Sequence, residues 1–350
     1  MKILILNDER WDSGITGYFL KVASLLAENG DEVVLGVRPE SKSEKQAKKL
    51  SLKTESVSNF FDVRRLLKAH QWDLINVHTG RTHSWTVLAQ KTLSQNKRRP
   101  VVRTRGDAKP LKIHPLSRYI YKQTTAVITA SDHIRNQYEI GYGFNEEQLR
   151  TIYPSVSPPS MSSPLPIFRV GILGRLDPVK GHTFFLEAAS QVLKEIPMVQ
   201  FFVAGKEANL SVALLKNHAQ QLGIESSVHF LGFHPSAADF VKSCTVGVIS
   251  SIGSEEVSRV CLEWMAGGRP VVGTLVGCLS ELIEPGETGL IVSPNDSITL
   301  GKAILRILRN SDLASRWGQN ARNVIDRRFS PEIQLEKTVH LFKWALQQHG

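Results

Sequence analysis

The chain predicts two doubly wound α/β domains in series, and three observations lead there. Apolar strands alternate with amphipathic helices from Lys2 to about residue 150, the rhythm of a parallel sheet covered by helices on both faces. The stretch Tyr153–Pro166, YPSVSPPSMSSPLP, holds five of the chain's 16 prolines. Such a stretch forms no packed element and reads as a domain boundary. The strand–helix rhythm then starts again and ends in a purely helical tail. The expected division is residues 1–160 as a first Rossmann-like domain and 161–330 as a second, the two facing a cleft, with 331–350 as a terminal helix. At 350 residues the chain is long enough for two domains with cores of their own.

In the first half, Lys2–Asn7 is a strand and Asp8–Gly17 a polar, glycine-bearing loop. Tyr18–Asn29 is amphipathic, with Phe19, Val22, Ala23 and Leu26 on one face and Gly30 as its stop. Glu32–Val37, Leu74–Val77, Val101–Thr104 and Ala126–Ala130 are further strands, with a helix around Trp85–Leu93. Ser131-Asp132 is placed to cap the next helix. Lys42–Lys53, rich in lysine, reads as a solvated helix or loop.

In the second half the strands are Phe168–Leu173, Val199–Ala204, Val228–Leu231, Val246–Ser250, Val271–Gly273 and Gly289–Val292. Ser297–Arg309, Asp312–Arg328 and Pro331–Gln348 are helical. No run approaches the ~20 apolar residues of a membrane-spanning helix, and MKILILNDERWD reads as a first strand rather than a signal peptide. Three cysteines without a CxxC pair suit a reduced, cytoplasmic protein with neither a disulfide framework nor a zinc site.

The formal net charge of +10 is unevenly spread, with +9 in residues 1–165 and +1 in the remainder. A one-sided basic half suits an anionic partner such as a membrane surface, nucleic acid or phosphorylated substrate. A basic surface that serves only solubility fits equally.

Chemistry concentrates in Ser250–Thr274, SSIGSEEVSRVCLEWMAGGRPVVGT. Glu255 falls in the loop after a strand. Glu263 lies in a helix expected from about Val257 to Ala266, where Gly267-Gly268 stops it. A helix N-terminus of this kind suits a diphosphate. By spacing alone the pair could equally be a surface Glu and a solvated helix Glu. Upstream, the turn GRLDPVKG places Arg175 and Lys180 five residues apart, two cations suited to a diphosphate leaving group or simply an ordinary basic turn. In the first half, Ser13–Gly17 leads into a helix without forming GxGxxG. Gly14 and Gly17 there would let a ligand phosphate approach the backbone.

Together these motifs resemble a family 4 glycosyltransferase of the two-domain GT-B fold, and the likeness runs through nearly the whole chain. GRLDPVKGH resembles the family's G-R-L-x-x-x-K-G, and SSIGSEEVSRVCLEWMAGGRPVVGT its glutamate–seven–glutamate element. FFVAGKE, VHFLGF, GCLSELI and GETGLIVSP resemble neighbouring elements in the same order. The resemblance implies that Arg175 and Lys180 grip the donor diphosphate and that Glu255 lies beside the donor sugar. It further implies that Glu263 binds the nucleotide ribose and that Val257, Ser258 and Arg259 border the sugar or phosphates. Gly14 and Gly17 would face the donor from the other domain, and the final helix, near Phe342 and Trp344, would cross back to the first domain. Removing either Arg175 or Lys180 is expected to lower turnover without a matching loss of stability.

The sequence departs from the family pattern in three places. Glu256, Val257 and Ser258 replace a glycine–aromatic–glycine run. Gly106 stands where V-V-x-T-x-H has its histidine, and Pro154-Ser155-Val156-Ser157 stands where N-G-V-D is usual. Arg103, Arg105 and Asp107 are polar for a strand end and, with His78, are acceptor-side candidates. The three could equally be a structural salt-bridge cluster, and His78 a packed loop residue.

The resemblance implies a nucleoside diphosphate sugar as donor substrate, no cofactor or metal, and sugar transfer with retention at the anomeric carbon. The implied acceptor is a cell-envelope glycolipid or lipopolysaccharide-type glycan. The basic half would meet an anionic membrane surface at the cytoplasmic face, and nucleic acid is not among the expected partners. A nucleotide-sugar epimerase of the same fold, or an inactive nucleotide-sugar-binding protein, is the alternative.

Overall fold

The computed structural model describes residues 1–10, 14–107, 111–159 and 168–349. It contains two compact units, Met1–Ser155 with Pro331–Gly350, and Val156–Ser330. The first unit carries strands β1 (Lys2–Asn7), β2 (Glu32–Val37), β3 (Lys53–Ser56), β4 (Leu74–Val77), β5 (Val101–Arg105), β6 (Ala126–Thr129) and β7 (Leu149–Thr151). They form one sheet in the order β3-β2-β1-β4-β5-β6-β7, parallel throughout. Helices α1 (Gly14–Glu28), α2 (Lys42–Lys49), α3 (Phe60–Ala69), α4 (Gly80–Lys91), α5 (Pro115–Lys122) and α6 (Asp132–Tyr142) connect them. β1, β4 and β6 are mostly apolar while β5 reads VVRTR, and all four are buried almost throughout because helices cover both faces.

The second unit holds β8 (Arg169–Leu173), β9 (Gln200–Ala204), β10 (Val228–Gly232), β11 (Val246–Ile249), β12 (Val271–Thr274) and β13 (Gly289–Val292). Its sheet is also parallel, in the order β10-β9-β8-β11-β12-β13. The helices are α7 (His182–Glu195), α8 (Val212–Gln221), α9 (Ala237–Lys242), α10 (Arg259–Ala266), α11 (Leu279–Leu282), α12 (Ser297–Leu308) and α13 (Ser311–Arg328). The last helix, α14 (Pro331–Gln347), packs on α1 and β5 and belongs to the first unit. Phe342 is fully buried there, and the Tyr18 hydroxyl donates to the Ile152 carbonyl at 2.9 Å.

Several elements differ from the sequence expectation. The first helix begins at Gly14 rather than Tyr18, so Gly14 and Gly17 stand in its first turn and not in a loop. Glycine weakens a helix interior by only about 1 kcal/mol, which the buried Thr16, Tyr18, Phe19 and Leu20 offset. Ser13, like residues 160–166 of the proline-rich stretch, lies outside the described residues. β3 and β7, absent from the expected set, are short edge strands of polar sequence, KTES and LRT. They take their conformation from pairing with β2 and β6 rather than from an apolar pattern. The lysine-rich segment is helical over Lys42–Lys49, capped by Ser41 and buried only at Ser43 and Ala47.

Candidate functional site

In a doubly wound sheet, ligands bind outside the carboxyl ends of the strands where the strand order reverses. In the second unit that point lies between β8 and β11, and a cavity of about 140 Å³ opens there. Leu173 and Gly174 line it from the end of β8, Ile249 and Ser251 from the end of β11, and Ser258–Val260 from the start of α10. Lys180 and Glu255 meet at its wall. The Lys180 Nζ lies 2.5 Å from Glu255 Oε1, and the Ser251 hydroxyl donates to the same oxygen at 2.6 Å. Glu255 is buried, with 5% of its side chain exposed, whereas Lys180 keeps 25% in solvent.

Two glycines make this approach geometrically possible. Gly181 has φ +67°, and a Cβ there would stand 1.9 Å from the Ser250 carbonyl oxygen. Only glycine therefore lets the Lys180 turn press against the end of β11. Gly277, with φ +56°, plays the same part on the other side, where a Cβ would meet the Glu255 carbonyl oxygen at 2.3 Å. The Cys278 amide donates to that oxygen at 2.8 Å, and the Ser258 amide donates to Cys278 Sγ at 3.4 Å. Ser254, next to Glu255, is a non-glycine residue at φ +60°, the kind of backbone strain that collects at functional loops. α10 is anchored from below by Trp264, which is fully buried and lies across Gly247 of β11.

The structure brings Lys180, Glu255, Val257, Ser258 and Arg259 to this cavity. It leaves two expected members outside the lining. Arg175 is exposed and pairs with Asp177 at 3.5 Å. Glu263 stands one turn into α10 and pairs with Arg259 at 3.0 Å. Burial pushes its carboxyl up against the pull of that guanidinium.

His182, at the start of α7, also lines the cavity and was not among the expected site residues. It is 1% exposed, and neither ring nitrogen makes a hydrogen bond of good geometry among the described residues, its polar contact being the backbone of Asp177. The Ser258 hydroxyl is buried and has no hydrogen-bond partner among the described residues. Buried polar atoms are ordinarily paired, so these atoms mark where a polar ligand would bond. The one sequence signal for His182 was its position directly after Lys180-Gly181.

The first unit reverses its strand order between β1 and β4 and has its own cavity there, of about 670 Å³. Arg103, Arg105 and Asp107 line it, with Asp8 after β1 and Arg81 at the start of α4. Arg105 pairs with Asp107 at 2.6 Å and Arg81 with Asp8 at 3.0 Å. His78 does not line this cavity. It is buried against the rings of Tyr18 and Phe19 and bonds Asn76 Oδ1 at 2.6 Å through Nε2. Gly14 and Gly17 are also absent from the lining, although Ile15 between them takes part.

Burial holds the imidazoles of His78 and His182 down to about 3 and about 4, and that of His83 well below its ordinary range. A histidine with a depressed folded-state pKa contributes stability above its unfolded value near 6.5, and that contribution is lost as pH falls toward the folded value. Unfolding free energy should therefore drop between pH 6.5 and 4 by about 1.4 kcal/mol per pH unit for each such histidine in the unfolding unit. Denaturant titrations at pH 7, 6 and 5 check this, and midpoints independent of pH would contradict it.

Family models match the chain in series. The model described as "Glycosyltransferase Family 4" covers residues 13–158, and "Glycosyl transferases group 1" covers residues 167–324. An uncharacterized glycosyltransferase of Methanocaldococcus jannaschii is 26% identical over 256 residues, 68% of this chain and 65% of that protein. A phosphatidyl-myo-inositol mannosyltransferase of Mycobacterium leprae is 31% identical over 148 residues, 41% of this chain and 38% of that protein. The chain thus spans from about two-fifths to just under two-thirds of the length of these curated relatives. Among solved structures, Anabaena HepE in complex with UDP has a TM-score of 0.85 at 22% identity, covering 98% of this chain and 100% of that one. Two parallel sheets with a cavity at each reversal of strand order, two family models end to end and a fold match along almost the full length agree: the chain belongs to glycosyltransferase family 4 and has the GT-B fold.

Proposed function

We propose that the protein is a retaining glycosyltransferase that moves a sugar from a nucleoside diphosphate sugar to a cell-envelope glycan or glycolipid. The observation that carries this reading is the buried Lys180–Glu255 pair beside His182 and the unpartnered Ser258 hydroxyl at the strand-order reversal of the second unit. Lys180 and Arg259 hold the diphosphate, with the first turn of α10 beside it, and stabilise the charge that grows as the glycosidic bond to phosphate breaks. Glu255 fixes Lys180 and borders the sugar, whose hydroxyls meet Ser258 and His182. Glu263 bonds the ribose, and Arg175 is the outer cation that folds onto the phosphates. UDP in the HepE structure supports the donor class. The larger cavity of the first unit receives the acceptor, with Arg103, Arg105 and Asp107 in its wall.

Incubation with UDP-, GDP- and ADP-sugars in the absence of acceptor tests the reading. Slow release of the nucleoside diphosphate is the expected outcome. An epimerised donor would make the protein an isomerase, and no turnover of any donor would leave a binding protein.

The proposal extends to an anionic membrane surface met through the first unit. Among the described residues no helix is long and apolar enough to cross a membrane. The surface around α5 nevertheless exposes Ile113, Leu116 and Tyr119, and Ile140 of α6 is 89% exposed. Ile113 lies against Gly141, the residue after Ile140, so the segment before α5 and the end of α6 are neighbours. Lys112, Arg118 and Lys122 stand in the same segment, all exposed. Apolar side chains ringed by cations suit the interface of an anionic bilayer. Ile140→Asp with Leu116→Asp should abolish binding to vesicles of phosphatidylglycerol and phosphatidylcholine, and the wild-type binding should weaken as salt rises. Equal wild-type binding to pure phosphatidylcholine vesicles would reject an electrostatic contribution.

A further inference from the structure

Arg103 has an unusual position for a cation. It is 1% exposed at the floor of the first unit's cavity, on β5. Its Nη1 donates to the carbonyls of Val77 at 3.1 Å and Thr104 at 2.8 Å, both uncharged, and its Nε has no partner among the described residues. No carboxylate among the described residues forms an ion pair with it. A buried charge without a counter-ion is costly, and here it faces a cavity large enough for a sugar.

The surroundings reinforce that charge. Arg10, Arg81, Arg103, Arg105 and Lys112 line the cavity against Asp8, Glu9 and Asp107. Two of those acids are occupied with Arg81 and Arg105. The aromatic wall is made by Tyr121 and Tyr142, whose ring centroids are 4.2 Å apart, and the Tyr121 hydroxyl bonds that of Tyr138 at 2.8 Å. A cation at the floor beside an aromatic wall is a site for a sugar that carries a phosphate or carboxylate. The charge-assisted bonds read the anion and the rings cover an apolar sugar face.

We infer that the acceptor is anionic, and that its phosphate or carboxylate group is bound by Arg103, with Arg105 recruited from Asp107 as the second contact. This rests on the transferase reading only in calling the ligand an acceptor. Asp107 is then a resident counter-ion that an incoming anion displaces, which gives a charge-sensitive site with two variants of opposite sign. Arg103→Met removes the reader, whereas Asp107→Asn removes the carboxylate charge that competes with an incoming anion for Arg105.

The test is calorimetric titration of the full chain saturated with UDP, so that the second unit's site is filled. The probes are inorganic phosphate, glucose 1-phosphate, glucose, and vesicles of phosphatidylglycerol or of phosphatidylcholine. Glucose 1-phosphate should bind at least tenfold more tightly than glucose. Arg103→Met should weaken it at least tenfold, and Asp107→Asn should tighten it several-fold. Binding of glucose 1-phosphate points to a free phosphorylated acceptor, and selective, Arg103-dependent binding of phosphatidylglycerol vesicles to a lipid-borne one; either supports the inference. Equal affinity for glucose and its phosphate, with no response to Arg103→Met and no preference among vesicles, would overturn it. Should Arg103→Met not fold, weakened or unchanged binding in Asp107→Asn would overturn it instead. Donor turnover without acceptor is a separate measurement, so its failure would remove the transferase reading while leaving the anion site standing.

Discussion

Lys180→Ala should weaken both the stability of the second unit and its hold on a nucleoside diphosphate. The sequence alone suggested a loss of turnover without a matching loss of stability. The structure alters that expectation, because the cation is also the counter-ion of Glu255, a carboxylate with 5% of its side chain exposed. Breaking a buried pair by removing one partner costs about 3–5 kcal/mol. Lys180 keeps a quarter of its side chain in solvent, so about 3 kcal/mol, the lower end of that range, is expected. Nucleoside diphosphate affinity should fall by about 1.5–3 kcal/mol for the lost charge-assisted contact, roughly 10- to 150-fold. The double variant Lys180→Met with Glu255→Gln removes both charges and should recover most of the stability but none of the affinity. Denaturant unfolding and calorimetric titration of UDP separate the two effects. A Lys180→Ala protein as stable as the wild type would mean that Glu255 does not depend on this cation.

Gly277→Ala is the second change expected to have a large effect. The added Cβ would stand 2.3 Å from the Glu255 carbonyl oxygen and 2.4 Å from its carbonyl carbon, at a residue with φ +56°. The backbone of Glu255 has to move by about 1 Å to make room, and misplacements of that size cost about 100-fold in rate. Left-handed backbone adds about 1–2 kcal/mol of strain for a non-glycine residue. Gly286→Ala supplies the comparison. That glycine has φ +85° and nothing within 4 Å of a built Cβ, so it carries the strain without the collision. Transfer rates should fall about 100-fold for Gly277→Ala and little for Gly286→Ala, with similar stability losses from strain. Equal rates in the two variants would show that the clasp on Glu255 is not what positions the site.

The inner strands were legible because each is a buried apolar run between polar breaks, as in LINV, AVIT and VGVI. Edge strands were not, since KTES and LRT acquire strand geometry only from a neighbour. The first helix was read four residues short because glycines at its start resemble a loop, while the burial that keeps them helical is a tertiary effect. The glutamate motif located the second unit's cavity, and the structure places Glu255 and the first turn of α10 there. What spacing could not supply was the bond between Lys180 and Glu255, 75 positions apart in sequence. Nor could it foretell that Arg175, in the same motif as Lys180, faces solvent toward Asp177. His78 and His182 show the same limit. Both follow a strand or turn of interest, yet of the two only His182 reaches a cavity.

The amide of Cys278, bonded to the Glu255 carbonyl at 2.8 Å, is a natural reporter. Its proton can exchange with deuterium only when the loop carrying Glu255 comes away from the turn after β12. The exchange rate at this one amide therefore counts loop openings, independently of whether any sugar is transferred. A nucleotide that settles beside Glu255 should slow that exchange, and one that binds elsewhere should not. The same amide would rank donors by how firmly they close the loop, with no acceptor in the tube.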